Sequence, residues 1–168
     1  MAELTTLEEK LAEVIGLAQA AQGTTEKVEG LMAEEDLSGK DEIVEKLRQM
    51  REEAAETEQR GTQLADEREG KKTAILDKAR ETKQEATEMA ETYLGDDADG
   101  LDGFEFLTMA EAGEVGHWEI LGKLNESAGE DDVRELVEWA VPIQQRHFET
   151  VRECSLAIAG EEDPYEES

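Results

Sequence analysis

Apolar residues recur at intervals of three and four along nearly the whole chain, and only two prolines, Pro142 and Pro164, interrupt its 168 residues. That period keeps one face of an α-helix inside a core. Strands would need alternating Val, Ile, Thr and Tyr, and no long run of that kind occurs. The chain is therefore expected to be all-α. Its length suits one domain, residues 1–160, with an acidic tail over 161–168.

The segments follow from turn and cap signals. The first helix is expected to start at Thr5 or Thr6, where Thr6 with Glu9 forms a capping-box pattern. Leu7, Val14, Ala21 and Val28 recur every seven residues, as do Leu11, Ala18, Thr25 and Met32, which makes a seam for another helix. Gly16, Gly23 and Gly30 share that period. They either let a neighbour approach closely or, at Gly23-Thr24-Thr25, split the segment in two. Ser38-Gly39 centres a turn. A second helix follows over 41–69, with Ile43, Leu47, Met50, Ala54, Thr57 or Glu58, Gly61 and Leu64 as its stripe. A single helix from 41 to 94 would be about 80 Å long at 1.5 Å per residue, so a reversal is expected near Gly70. The third segment, 72–94, has a thin stripe of mostly small residues: Ile75, Ala79, Thr82, Ala86, Met89, Tyr93.

The loop over 95–103 is acidic and glycine-rich. It resembles the start of a calcium loop, but position twelve counted from Asp97 is Thr108 rather than glutamate. It reads as a connection that caps the next helix. Two helices remain, over 103–126 and 130–159, separated by Ser127-Ala128-Gly129. Pro142 is expected to kink the second of them.

The net charge of −28 repels phosphate backbones and anionic lipid, which argues against nucleic acid and membrane as partners. No apolar run reaches the roughly 18 residues that span a bilayer, and residues 1–6 lack the basic start and apolar run of a signal peptide. The expected location is cytoplasmic. The lone cysteine, Cys154, lies on an apolar stripe and reads as a small buried hydrophobe.

Chemistry concentrates on the last two helices. The expected stripes are Phe104, Leu107, Ala110, Glu114, His117, Leu121, Leu124 and Val133, Leu136, Ala140, Gln144, His147, Val151, Cys154. Each holds a polar residue and one of the two histidines three apart, so both side chains leave the same helix face. Oxygen and nitrogen donors of this kind suit iron, manganese or zinc. Glu111 lies one turn before Glu114 and adds a third oxygen. Glu58 is the expected carboxylate from an earlier helix, with Glu85 and Glu88 as weaker candidates. Two features weigh the other way. Gln144 stands where a carboxylate would serve a dinuclear centre better. Counted from Ala128, the two motif centres are offset by roughly 7 Å, which sets Glu111 level with Gln144 and separates the histidines. A metal-free polar network in the core is the competing reading. Trp139 falls nearly level with His117, and inter-helix packing is its expected role.

The residues Glu114-Val115-Gly116-His117-Trp118-Glu119-Ile120, the short turn and Gln144-Gln145-Arg146-His147 resemble the C-terminal half of ferritin-like bundle proteins. Within them, the match is to a bacterial stress-protein branch of poorly defined role. The resemblance covers about a third of the chain. It implies an antiparallel four-helix bundle, here with an added N-terminal helix or hairpin, often dimeric, with iron or manganese held by Glu/His side chains. Glu114, His117 and His147 match that family's metal motif, and Gln144 departs from it. The resulting expectation is a metal-binding bundle in stress or oxidative protection, forming a homo-oligomer, with any enzymatic activity left open. The alternative is a metal-free bundle that associates through the seam from Leu7 to Met32. No phosphate loop, nucleophile elbow or Cys/His pairing points to a hydrolase or transferase.

Overall fold

The structure is a computed structural model and describes residues 2–167. It contains five helices and, among the described residues, no strand: α1 (Thr6–Ala33), α2 (Lys40–Asp66), α3 (Lys72–Tyr93), α4 (Gly100–Ala128) and α5 (Asp131–Ala159). The chain is a helical bundle.

Local chemistry sets the boundaries. α1 starts at Thr6, one of the two expected positions, and its capping box lies one residue earlier than the Thr6–Glu9 pattern suggests. Thr5 is the N-cap and Glu8, not Glu9, completes the capping box: Glu8 N–H donates to Thr5 Oγ1 at 3.2 Å and Thr5 N–H donates to Glu8 Oε2 at 2.8 Å. The helix then runs unbroken through Gly23-Thr24-Thr25. Both threonines there donate to carbonyls one turn back, Ala20 O at 3.0 Å and Ala21 O at 2.8 Å. Gly70 takes φ 74°, the left-handed conformation that a reversal between α2 and α3 requires. The acidic loop caps α4, which begins at Gly100, ahead of the expected 103. Asp99 and Asp102 exchange side-chain and backbone bonds there, and Gly100 N–H donates to Glu35 Oε1 at 2.8 Å. α5 continues as one helix through Pro142.

α1 packs against α2, α3 and α4, and α5 packs against α4 and α2, so α1, α2, α5 and α4 close a ring. α3 lies outside it, on α1 and α2. This corrects the expectation that the N-terminal segment is the added element. Every residue of the α1 seam is buried inside this chain: Leu7, Leu11, Val14, Ala18, Ala21, Thr25, Val28, Met32. A stripe that wide needs several neighbours, whereas the small residues of α3 lie mainly against α1. Of the three periodic glycines only Gly16 marks a close approach. A Cβ there would lie 2.3 Å from Ala79 O, while Gly23 and Gly30 have nothing within 4 Å.

The apolar core falls into two clusters. One gathers Leu11, Ile15, Ile75, Trp118, Leu121, Val133 and Leu136. The other gathers Met32, Leu47, Phe104, Leu107, Val151, Cys154 and Ile158. Burial pushes the Cys154 thiol up from its ordinary range. Between the clusters lie Glu111 and Glu114 of α4 and Gln144 and His147 of α5, all buried. α1 and α2 bring Ala18, Ala21, Ala54 and Thr57 to the region between the clusters, and these small residues make room for the larger polar side chains.

Candidate functional site: a polar layer in the core

The α5 stripe is buried as the spacing predicts, from Val133 to Cys154. Its middle carries Gln144, 1% exposed, and His147, 3% exposed. The α4 stripe is rotated relative to expectation. Glu111, Glu114, Trp118, Leu121 and Asn125 point inward, and Ala110, His117 and Leu124 lie at the edge. The large indole of Trp118 takes the inward position next to His117, so the imidazole is displaced to the rim.

His147 stands between two carboxylates. Its Nδ1 is 3.7 Å from Glu111 Oε2 and its Nε2 is 3.5 Å from Glu53 Oε2. Neither contact is a hydrogen bond, and Glu111 Oε2, Gln144 Oε1 and His147 Nε2 are buried with no hydrogen-bond partner. Glu53, from α2, also pairs with Arg146 at the surface. Sequence reasoning missed Glu53. It flanks the α2 stripe between Met50 and Ala54, and its one signal is that this stripe turns small and polar at the same height.

Glu114 is in a different situation. Burial first, and the negative charge of Glu111 second, hold its carboxyl well above the usual carboxylate range, with no hydrogen bond or cation acting against them. It lines an apolar crevice of about 200 Å³ bounded by α1, α3 and α4.

His117 and Glu58 are not part of the buried layer. The His117 side chain is 40% exposed. Its Nδ1 donates to Gly113 O at 2.8 Å, since a carbonyl can only accept. Its Nε2 is 3.7 Å from Glu13 Oε2. Lys10 Nζ already engages both oxygens of Glu13, at 2.8 and 2.9 Å. Glu58 lies on the outer seam of α1 and α2, accepting from Gln19 Nε2 at 3.0 Å and Gln22 Nε2 at 2.5 Å. Glu85 and Glu88 are exposed on α3. Trp139 packs under a cation, with the Arg60 guanidinium 4.2 Å from the ring centroid.

Among the described residues, no three His, Cys, Asp or Glu side chains converge as a ready-made metal cage. Among the described residues, no helix is long and apolar enough to cross a membrane. No family model, curated protein or solved structure matches the chain.

Proposed function

We propose that the chain is a ferritin-like bundle protein whose polar layer binds a single iron or manganese ion through Glu111 and His147, with Gln144, Glu53 and Glu114 around them. The observation that carries this reading is the group of orphaned atoms: Glu111 Oε2, Gln144 Oε1 and His147 Nε2, all buried and unpartnered. Each such atom costs about 1–3 kcal/mol, and a cation engages the oxygen donors directly. The 3.7 Å between Glu111 Oε2 and His147 Nδ1 is a small rotation away from the roughly 3 Å between adjacent ligands that each lie about 2.1 Å from an ion.

The chain path supports the family reading. Gly103 meets Val28 where α4 begins and α1 ends, and Arg68 meets Glu130 where α2 ends and α5 begins. Together with the short turns, these pairs set neighbouring helices of the ring antiparallel. The link from α2 to α4, through α3, takes the place of the one long crossover that a ferritin-like bundle would have.

A dinuclear centre does not fit these residues. Gln144 supplies an amide where a bridging carboxylate is needed, His117 lies at the rim, and Glu58 is outside the layer. A single ion requires Glu111 to turn toward His147, and would supply redox or Lewis-acid chemistry when bound. The chain's own part is to hold it between two apolar clusters that exclude water. Protection against metal-driven oxidation is the role such sequestration serves.

One observation favours a second reading: the absence of a three-residue convergence among the described residues. There the layer is a metal-free polar belt in which His147 bridges Glu53 and Glu111. Association through the α1 seam has less support, because that seam is consumed inside the chain.

Elemental analysis of protein produced with iron or manganese tests the reading. We expect about one ion per chain, lost in His147→Ala and in Glu111→Gln and kept in His117→Ala. Metal-free protein after gentle purification, with melting unchanged by added Fe(II) or Mn(II), sinks the metal reading and leaves the polar belt.

A further inference from the structure

The crevice between α3 and α4 backs onto the proposed ion site, since Glu111 and Glu114 line it, but it opens on the opposite side from His147 and is bounded by other helices. It encloses about 200 Å³ over a floor of α1 residues. It persists because α3 packs chiefly on α1 and α2 and meets α4 at Tyr93 and Phe106, whose ring centroids lie 5.5 Å apart. Leu17, Ala86, Met89, Phe106 and Met109 supply apolar walls. Met89 and Met109 stand at its rim, 61% and 51% exposed. Such exposed, flexible thioether side chains adapt to a bound shape. Two buried carboxyls line the same space, Glu114 at 5% and Glu111 at 2% exposed, and Glu114 makes no hydrogen bond.

We propose that this crevice binds a small organic amine, with its ammonium group at Glu114 and a short aryl or alkyl body against Leu17, Ala86, Phe106 and the two methionines. Size sets the body. A 150 Å³ apolar cavity takes up benzene, so about 200 Å³ suits a benzyl-sized group, well under a drug-sized ligand. Charge sets the head. Glu114 and Glu111 both line the crevice and the whole chain carries −28, so a carboxylate or phosphate head is repelled and an ammonium is drawn in. Burial favours the protonated form of Glu114 in the empty crevice, so a bound amine takes over that proton, and the resulting carboxylate–ammonium pair gains a charge-assisted hydrogen bond that a neutral alcohol does not offer.

The test uses full-length, chelator-treated protein, so its outcome is independent of the ion reading, which metal content alone decides. Benzylamine, benzyl alcohol and benzoate are titrated by calorimetry and ligand-observed NMR. We expect benzylamine to bind and raise the melting temperature, benzyl alcohol to bind more weakly, and benzoate not to bind. Glu114→Gln is expected to weaken benzylamine about tenfold or more, the loss of one charge-assisted bond, and to leave benzyl alcohol unchanged. Ala86→Phe, which fills the crevice from the half-buried edge of α3, is expected to remove both. Benzylamine binding that survives Glu114→Gln or Ala86→Phe reports only the acidic surface and overturns the proposal. So does benzoate binding as well as benzylamine, or no benzylamine binding at millimolar concentration.

Discussion

The polar layer has two sides that differ in how their charges are met. On the α5 side His147, with its side chain 4% exposed, stands between Glu111 and Glu53. On the crevice side Glu114 has no counter-charge, and the nearby histidine, His117, is 40% exposed and satisfied by the backbone of its own helix. The two histidines occupy the same motif position, yet one is held by tertiary structure and the other by local structure. A side chain three residues after a polar partner on a helix face becomes part of a site only if a facing helix supplies groups at its height. α2 supplies Glu53 to His147. For His117, α1 offers only Glu13, already engaged by Lys10.

The largest expected effect breaks the α5 side. His147→Ala empties the space of a buried ring beside Glu111, and large-to-small changes in a core cost about 2–5 kcal/mol. His117→Ala, at the rim, should cost under about 0.5 kcal/mol. Urea unfolding of the two variants measures the contrast directly. Equal losses would mean that the two histidines are not in different environments.

Next comes the wall of the crevice. Gly16→Ala places a Cβ 2.3 Å from Ala79 O, a backbone atom that can move only with α3. Overpacking of this kind costs about 1–3 kcal/mol. The damage should stay on the open side: amide exchange should quicken in α3 while α4 and α5 keep their protection. Uniform loss across the bundle would show that α3 is integral to the ring rather than added to it.

Much of this architecture is legible in the sequence, for physical reasons. The α1 seam and the α5 stripe are regular enough that the burial of every expected position follows from the period, although α1 also buries Ala12, Ile15 and Ala20 beside its seam. Of the α3 stripe, Ile75, Ala79 and Thr82 are buried while Met89 and Tyr93 are exposed. The α4 stripe is ambiguous because two adjacent stripes share Phe104, Leu107, Glu114 and Leu121. Only the burial of Trp118 decides between them, and that depends on the partner helix. Gly16, Gly23 and Gly30 look equivalent along the chain. Glu53 leaves only the small, polar stretch of the α2 stripe as a signal, because the residue it meets, His147, is almost a hundred residues away in sequence.

The open side also carries a pH signature. Burial and the charge of Glu111 favour the protonated form of Glu114 in the folded chain, so the folded state keeps a proton that the unfolded state releases above about pH 4.5. Stability therefore falls as pH rises through that range on account of this group. Glu114→Gln keeps the shape and removes the proton. The variant should match wild type near pH 4 and become progressively more stable than it toward pH 8, as read from urea midpoints. A constant offset would mean that Glu114 is met by charge as well as His147 is, which would erase the contrast between the two sides.

The smallest expected effect is a control on the second. Gly23 shares the heptad position of Gly16 on the same helix, but nothing lies within 4 Å of the Cβ it lacks. Gly23→Ala relieves the entropy cost of glycine in a helix interior, so the variant should gain about 0.5–1 kcal/mol. For a chain of this size that is a rise of about 1–4 °C in melting temperature, measurable by calorimetry. The pair of variants then separates two effects of glycine in one helix. One glycine is needed because α3 lies against it, and the other only weakens the helix. A loss at Gly23 comparable to that at Gly16 would mean that a second surface, belonging to another copy of the chain or to a partner, covers this stretch of α1.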